Sequence, residues 1–133
     1  MPVPRGRHCV DSGKGKSVAT CELAKNQCVL CKGGGPPLVG DELDSYCEQL
    51  GSGWQCIDEH RLEKDYTVQG YLPAVAFANA VAGIAEEQDH HPDVFFAWSK
   101  ARVTIWTHKI DGLTPSDFYF AAKCEEALRK QEV

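Results

Sequence analysis

Residues 71–108, YLPAVAFANAVAGIAEEQDHHPDVFFAWSKARVTIWTH, pass from one hydrophobic pattern to another, and that change decides the fold class. Tyr71 to Gln88 is apolar on nearly every face and too long for a strand, while Gly70 and Pro73 mark a helix start. A helix of that kind is expected to pack against a sheet. After it, Val94 to Trp98 and Arg102 to His108 are rich in β-branched and aromatic residues, with Ser99-Lys100-Ala101 between them as a turn. They read as paired strands. Because strand side chains alternate, Thr104, Trp106 and His108 share one face and Val103, Ile105 and Thr107 the other.

The same alternation extends outward in both directions. From Asp41, the residues Leu43, Tyr46, Cys47 and Leu50 follow helical spacing, and Gly51-Ser52-Gly53 supplies a stop. Trp54 to Asp58 and Leu62 to Val68, separated by the charged Glu59-His60-Arg61, suggest a first hairpin. Downstream, Gly112 breaks the chain. Thr114-Pro115-Ser116-Asp117 then places an N-cap threonine, a proline at the first helical position and an acid at the third, a relative of the capping box. The helix it opens runs toward Lys130 with Phe120, Cys124, Ala127 and Leu128 as its apolar stripe. The order α-β-β-α-β-β-α implies an α+β domain: a four-stranded, mainly antiparallel sheet covered on one face by helices. No internal repeat is visible in the residues themselves, although a ββα unit occurs twice as a pattern.

The chain has 133 residues, the size of one domain plus a tail. Residues 1–20 are polar and Gly-rich and read as a flexible basic tail; residues 21–37 form a cysteine-bearing leader and a Gly/Pro linker; the domain proper is expected over 38–133. Net charge is −5, and the tail holds +3 of local charge, leaving −8 on the rest. Such a field repels phosphate backbones, which argues against nucleic-acid binding. No run approaches the roughly 20 apolar residues of a membrane span. Seven cysteines without a signal-peptide core point to reduced thiols and a cytoplasmic location, with the basic N-terminus open to an organellar targeting role instead.

The chemistry-bearing residues cluster around His90-His91-Pro92, with His108 after Thr107. Histidine gives and takes protons near neutral pH. The bland alternative places His90 and His91 in a solvated loop and His108 at a satisfied strand end. A metal site is disfavoured, because adjacent residues rarely aim both imidazoles at one tetrahedral ion and no i, i+4 histidine pair is present. Cys21, Cys28 and Cys31, with Cys9 upstream, contain one CxxC pair, a weak zinc signal that leaves their role undecided. Gly33-Gly34-Gly35 lacks the context of a phosphate loop. Cys124 lies on an apolar helical stripe, so packing explains it better than nucleophilic catalysis.

The segment EEQDHHPDVFFAWSKARVTIWTHKIDGLTPSDFYFAAK, residues 86–123, resembles the pterin carbinolamine dehydratases. Their signature is an acid, three residues, HHP, two strands, TH, and then GL[ST]xxD opening the last helix. The resemblance covers roughly Leu38 to Leu128, and it implies dehydration of 4a-hydroxytetrahydropterin to quinonoid dihydropterin with no cofactor, the pterin being the substrate. It further implies His90 and His108 as the acid/base pair and His91 as a group that binds or orients the pterin. Glu86 lies four residues before His90, where it would fix that imidazole's tautomer or meet the pterin's amino-pyrimidine edge; a solvated charge explains it equally well. Asp117 matches the family's acid and is also explained as a capping acid. Pro92 fixes the backbone after the histidines, and Thr107 precedes the third. Trp98 and Trp106 read as apolar walls or as ordinary packing.

From the same resemblance, homodimers or homotetramers through sheet edges or helices are expected, with an aromatic amino acid hydroxylase as the pathway neighbour. The rival reading is a non-catalytic protein-interaction or assembly module on the same fold.

Overall fold

The computed structural model describes residues 23–25 and 36–132; the basic tail and Cys9, Cys21, Cys28 and Cys31 lie outside them. Within residues 36–132, three helices and four strands follow in the order α1 (Gly40–Leu50), β1 (Gln55–Ile57), β2 (Arg61–Thr67), α2 (Tyr71–Gln88), β3 (Asp93–Ala97), β4 (Lys100–Ile105) and α3 (Pro115–Glu132). The α-β-β-α-β-β-α order is therefore as the sequence implies. All pairings are antiparallel, and the spatial order β1-β2-β4-β3 puts the two long strands at the centre.

Period-two alternation decides which face is covered. In β4, Ala101, Val103 and Ile105 are fully buried, and they align with Tyr66, Lys64 and Leu62 of β2. The opposite face is polar: Arg102 forms a two-pronged pair with Asp65, and Thr104 donates to Glu63 at 2.9 Å. Helices cover the first face. Leu43 and Leu50 of α1, Phe77 and Val81 of α2, and Phe118, Phe120 and Ala121 of α3 join the strand residues in one cluster. Each large apolar side chain removed from water there stabilises the fold by about 1.5–3 kcal/mol. Leu23, Ala24 and Leu38 belong to the same cluster, so the part of the leader that is described packs on the domain.

Three details depart from the sequence reading. The turn between β3 and β4 is only Trp98-Ser99, with Ser99 at φ 59°, because Lys100 and Ala101 are already paired to both neighbouring strands. At its other end β4 stops at Ile105; Thr107 makes an isolated bridge to Gly112, and His108 lies in the intervening turn and not on the strand. Finally, α2 buries a single stripe, Ala74, Phe77, Val81, Ala85 and Gln88, while Tyr71 and Leu72 remain exposed despite the helix being apolar all round.

Two contacts tie the layers together. Glu125 of α3 accepts from Trp54 at 3.0 Å, from Lys64 at 2.8 Å and from the hydroxyl of Tyr66. Burial pushes the Tyr66 hydroxyl well above its ordinary pKa, so it serves here as a donor. Gly112 faces Pro37 so closely that a Cβ would come within 2.6 Å of the proline ring. Only glycine fits there, and the Leu38 N–H donates to the Leu113 carbonyl alongside at 2.8 Å.

Cys47 of α1 and Cys56 of β1 hydrogen-bond through their thiols. Burial, followed by the neighbouring Cys56, pushes the Cys47 thiol up to about 12. At pH 8 its thiolate fraction is expected to be roughly a thousandfold below that of an ordinary thiol. Iodoacetamide should therefore label Cys47 far more slowly than free glutathione in site-resolved mass spectrometry; equal rates would show the thiol to be open.

Candidate active site

The site is built where the chain leaves α2 and where it leaves β4. Helix α2 ends at Gln88, and Asp89 takes the left-handed conformation (φ 53°, ψ 45°) that a short polar side chain tolerates. That reversal turns His90 inward. Its Nε2 lies 2.7 Å from Oδ1 of Asp117, whose side chain is 0% exposed, and its ring meets Phe120 edge-on at 5.9 Å.

Asp117 is the hub. Its Oδ2 accepts from the Thr114 backbone N–H at 2.9 Å, the N3-to-N-cap half of a capping box at the start of α3. The same oxygen accepts from Thr107 Oγ1 at 2.8 Å, and the Thr107 and Thr114 hydroxyls bond to each other at 2.9 Å. One buried carboxylate thus anchors the helix start, the residue before His108 and the ring of His90. An ionised carboxylate only accepts, so Nε2 of His90 carries the hydrogen and Nδ1 is the nitrogen left to exchange a proton.

Glu86 does not reach His90, the partner that helical spacing offers. It bonds His91 Nε2 at 2.8 Å, because the left-handed residue at position 89 ends the helical register before His90. Both members of that pair are exposed, so it contributes little to stability and stands open to a ligand. Pro92 is half-buried and leads directly into β3.

His108 is exposed in the Thr107–Gly112 turn, with its ring stacked on Trp106 at 4.4 Å and 17°. The other neighbour of Trp106 is His60, at 5.2 Å and 41°, and Nε2 of His60 lies 2.8 Å from Oδ1 of Asp111. Trp106 therefore contacts two imidazoles. His60 and Asp111 were not singled out from the sequence; a lone histidine in a charged turn carries no signal of its own.

A family model described as pterin 4 alpha carbinolamine dehydratase matches residues 36–127, a span that contains the whole constellation. The chain belongs to the pterin carbinolamine dehydratase family. A Rubrobacter xylanophilus protein named provisionally as a pterin-4-alpha-carbinolamine dehydratase is 52% identical over 78% of this chain and 96% of its own length. One from Alkaliphilus metalliredigens, named in the same way, is 41% identical over 78% of this chain and 94% of its own. Among solved structures, that of a transcriptional coactivator/pterin dehydratase from Brucella melitensis matches with a TM-score of 0.65 at 29% identity, covering 69% of this chain and 98% of that one. The α+β fold is thus that of a pterin dehydratase. No helix among the described residues is long and apolar enough to cross a membrane.

Proposed function

We propose that the chain catalyses loss of water from 4a-hydroxytetrahydropterin, giving quinonoid dihydropterin, by histidine acid/base chemistry. The observation that carries this reading is the buried Asp117 carboxylate, which holds His90 in one tautomer and ties Thr107, and with it the His108 turn, to the same point. In the reaction the N5–H bond and the C4a–O bond break, a C4a=N5 double bond forms, and the hydroxyl leaves as water. A carboxylate behind one imidazole nitrogen stabilises the ring as it gains a proton on the other. His90 is accordingly the base that takes the N5 proton through Nδ1, and His108, exposed at the rim, is the acid that protonates the departing hydroxyl. The open His91–Glu86 pair supplies a donor and an acceptor for the polar edge of the pterin. None of these steps calls for a cofactor.

The test generates the carbinolamine with an aromatic amino acid hydroxylase and follows its loss at alkaline pH, where spontaneous dehydration is slow. Strong acceleration by the folded protein supports the reading. No acceleration moves the assignment to the rival, a protein-interaction module.

The same reading includes self-association. Among the described residues strand β3 pairs with β4 alone, so its outer edge has no strand beside it there, and Phe95, Phe96 and Trp98 are exposed along it. Tyr71 stacks on Phe96 at 5.8 Å, and Leu72, 77% exposed, extends the patch. Apolar side chains on both faces of this strand edge, Phe96 with Tyr71 on one and Phe95 on the other, suit a second copy of the chain in antiparallel pairing. Light scattering is expected to give a mass at a multiple of the 14.6 kDa chain, and Phe95→Lys is expected to shift it toward the monomer. A monomeric wild type at micromolar concentration would remove this part.

A further inference from the structure

His60 belongs to the β1–β2 hairpin, yet its ring bonds and stacks with residues of the segment that carries His108. Nε2 bonds Asp111 at 2.8 Å, and the ring faces Trp106 at 5.2 Å. Asp111 closes the turn around His108: its N–H lies 2.8 Å from the Thr107 carbonyl and 3.2 Å from that of His108, and its backbone is left-handed at φ 57°. Trp106 lies under the His108 imidazole, nearly parallel to it. His60 thus grips both sides of the turn.

Its other nitrogen, Nδ1, is buried and has no hydrogen-bond partner among the described residues. An imidazole kept only to fill space gains nothing from an unpaired nitrogen, and a phenyl ring would do the same without that cost. The ring makes sense if Nε2 is needed where it is, on Asp111, with Nδ1 carried along. Among the described residues His108 makes no hydrogen bond through its ring, so the stack on Trp106 and the turn are what hold it.

We propose that His60, acting through Asp111 and Trp106, is the positioning residue for the His108 imidazole. This deepens the dehydratase reading and rests on His108 being one of its proton-transfer groups. His60 does not touch the reacting atoms; it sets where the ring that does so can be.

The experiment compares His60→Phe, Asp111→Gly and Asp111→Asn with wild type. Two readouts are taken: steady-state dehydration, and the ring resonances of His108 in histidine-labelled protein, which the Trp106 ring current shifts. Phenylalanine keeps the stack and removes the orphan nitrogen, so thermal stability is expected to hold. Glycine adopts φ 57° freely, and asparagine tolerates it while keeping an acceptor for Nε2–H. His60→Phe and Asp111→Gly are expected to lower kcat about 10- to 100-fold with KM little changed, the cost of a misplaced catalytic group. The His108 resonances should move toward those of an unstacked ring, and Asp111→Asn should restore both readouts. If the two variants act through one contact, the double variant is no slower than either.

Wild-type kcat with unmoved resonances in both His60→Phe and Asp111→Gly overturns the proposal, as does movement of the resonances with kcat untouched. A drop in melting temperature alone assigns His60 a structural role and likewise overturns it. Should His60→Phe fail to fold, Asp111→Gly decides, its side chain being 84% exposed in the native protein. If the wild type turns over no carbinolamine, the dehydratase reading has failed, and the resonances still report whether His60 holds His108.

Discussion

Replacing His108 with alanine is expected to lower kcat by about 10²- to 10⁴-fold, the usual contribution of one positioned proton-transfer group, and to leave the melting temperature unchanged. The stability half follows from exposure: the ring lies at the rim and stacks on one face of Trp106, so its loss opens no cavity and orphans no buried group. His90 needs a different substitution. Alanine there would leave Oδ1 of a fully buried carboxylate without its partner, and the loss of rate would be mixed with a loss of fold. His90→Gln offers an N–H to Asp117 and cannot carry a proton in transit, so it too should lose about 10²- to 10⁴-fold in kcat while staying folded. Full activity in both variants would end the acid/base assignment.

Asp117 is where fold and chemistry meet, and its two substitutions should separate them. Asp117→Ala leaves the Thr114 N–H, the Thr107 hydroxyl and His90 Nε2 without their acceptor in a site closed to water. Breaking a buried network of this kind costs about 3–5 kcal/mol. For a domain of this size that corresponds to a fall of about 10–20 °C in melting temperature, read by calorimetry. Asp117→Asn preserves the shape and an oxygen for Thr107 and Thr114. Its amide nitrogen then faces His90 and donates to Nε2, which moves the ring hydrogen to Nδ1. A base with its accepting nitrogen already protonated is inactive, and in a catalytic triad the wrong tautomer costs about 10⁴-fold. The asparagine variant is therefore expected to be folded but nearly inactive; wild-type kcat in it would mean that Asp117 serves the fold alone.

The capping motif at residues 114–117 shows how much of this was legible. Thr114, Pro115 and Asp117 lie within one helical turn, so their spacing carried the start of α3, and the carboxylate does meet the Thr114 N–H. Likewise the 3.6-residue pattern in α1 and the alternation in β2 are local signals, and those elements are within a residue of where the pattern puts them, while β4 begins two residues nearer the N-terminus. The histidine cluster was legible for the same reason, being contiguous or nearly so.

What spacing misjudged was direction. Helical periodicity offered Glu86 to His90, but one left-handed residue at position 89 hands Glu86 to His91 and turns His90 toward a carboxylate 27 residues away. In α2 the expected packing against the sheet is present, but apolarity all round shows that a surface prefers cover and not whether the same chain provides it, and Tyr71 and Leu72 stay exposed.

The sequence by itself thus determined the elements, their order, the capped start of the last helix and the His90-His91 pair, since each is written in residues close enough to interact along the chain. Tertiary structure alone decided that Asp117 serves His90 and Thr107 as well as its own helix, that Glu125 gathers three donors from Trp54, Lys64 and Tyr66, and that His60 meets Trp106 and Asp111 beside the turn of His108. These are hydrogen bonds and ring contacts between side chains far apart in sequence. Which donor meets which acceptor is set when the sheet pairs and the helices pack on it, a global arrangement that no local period encodes.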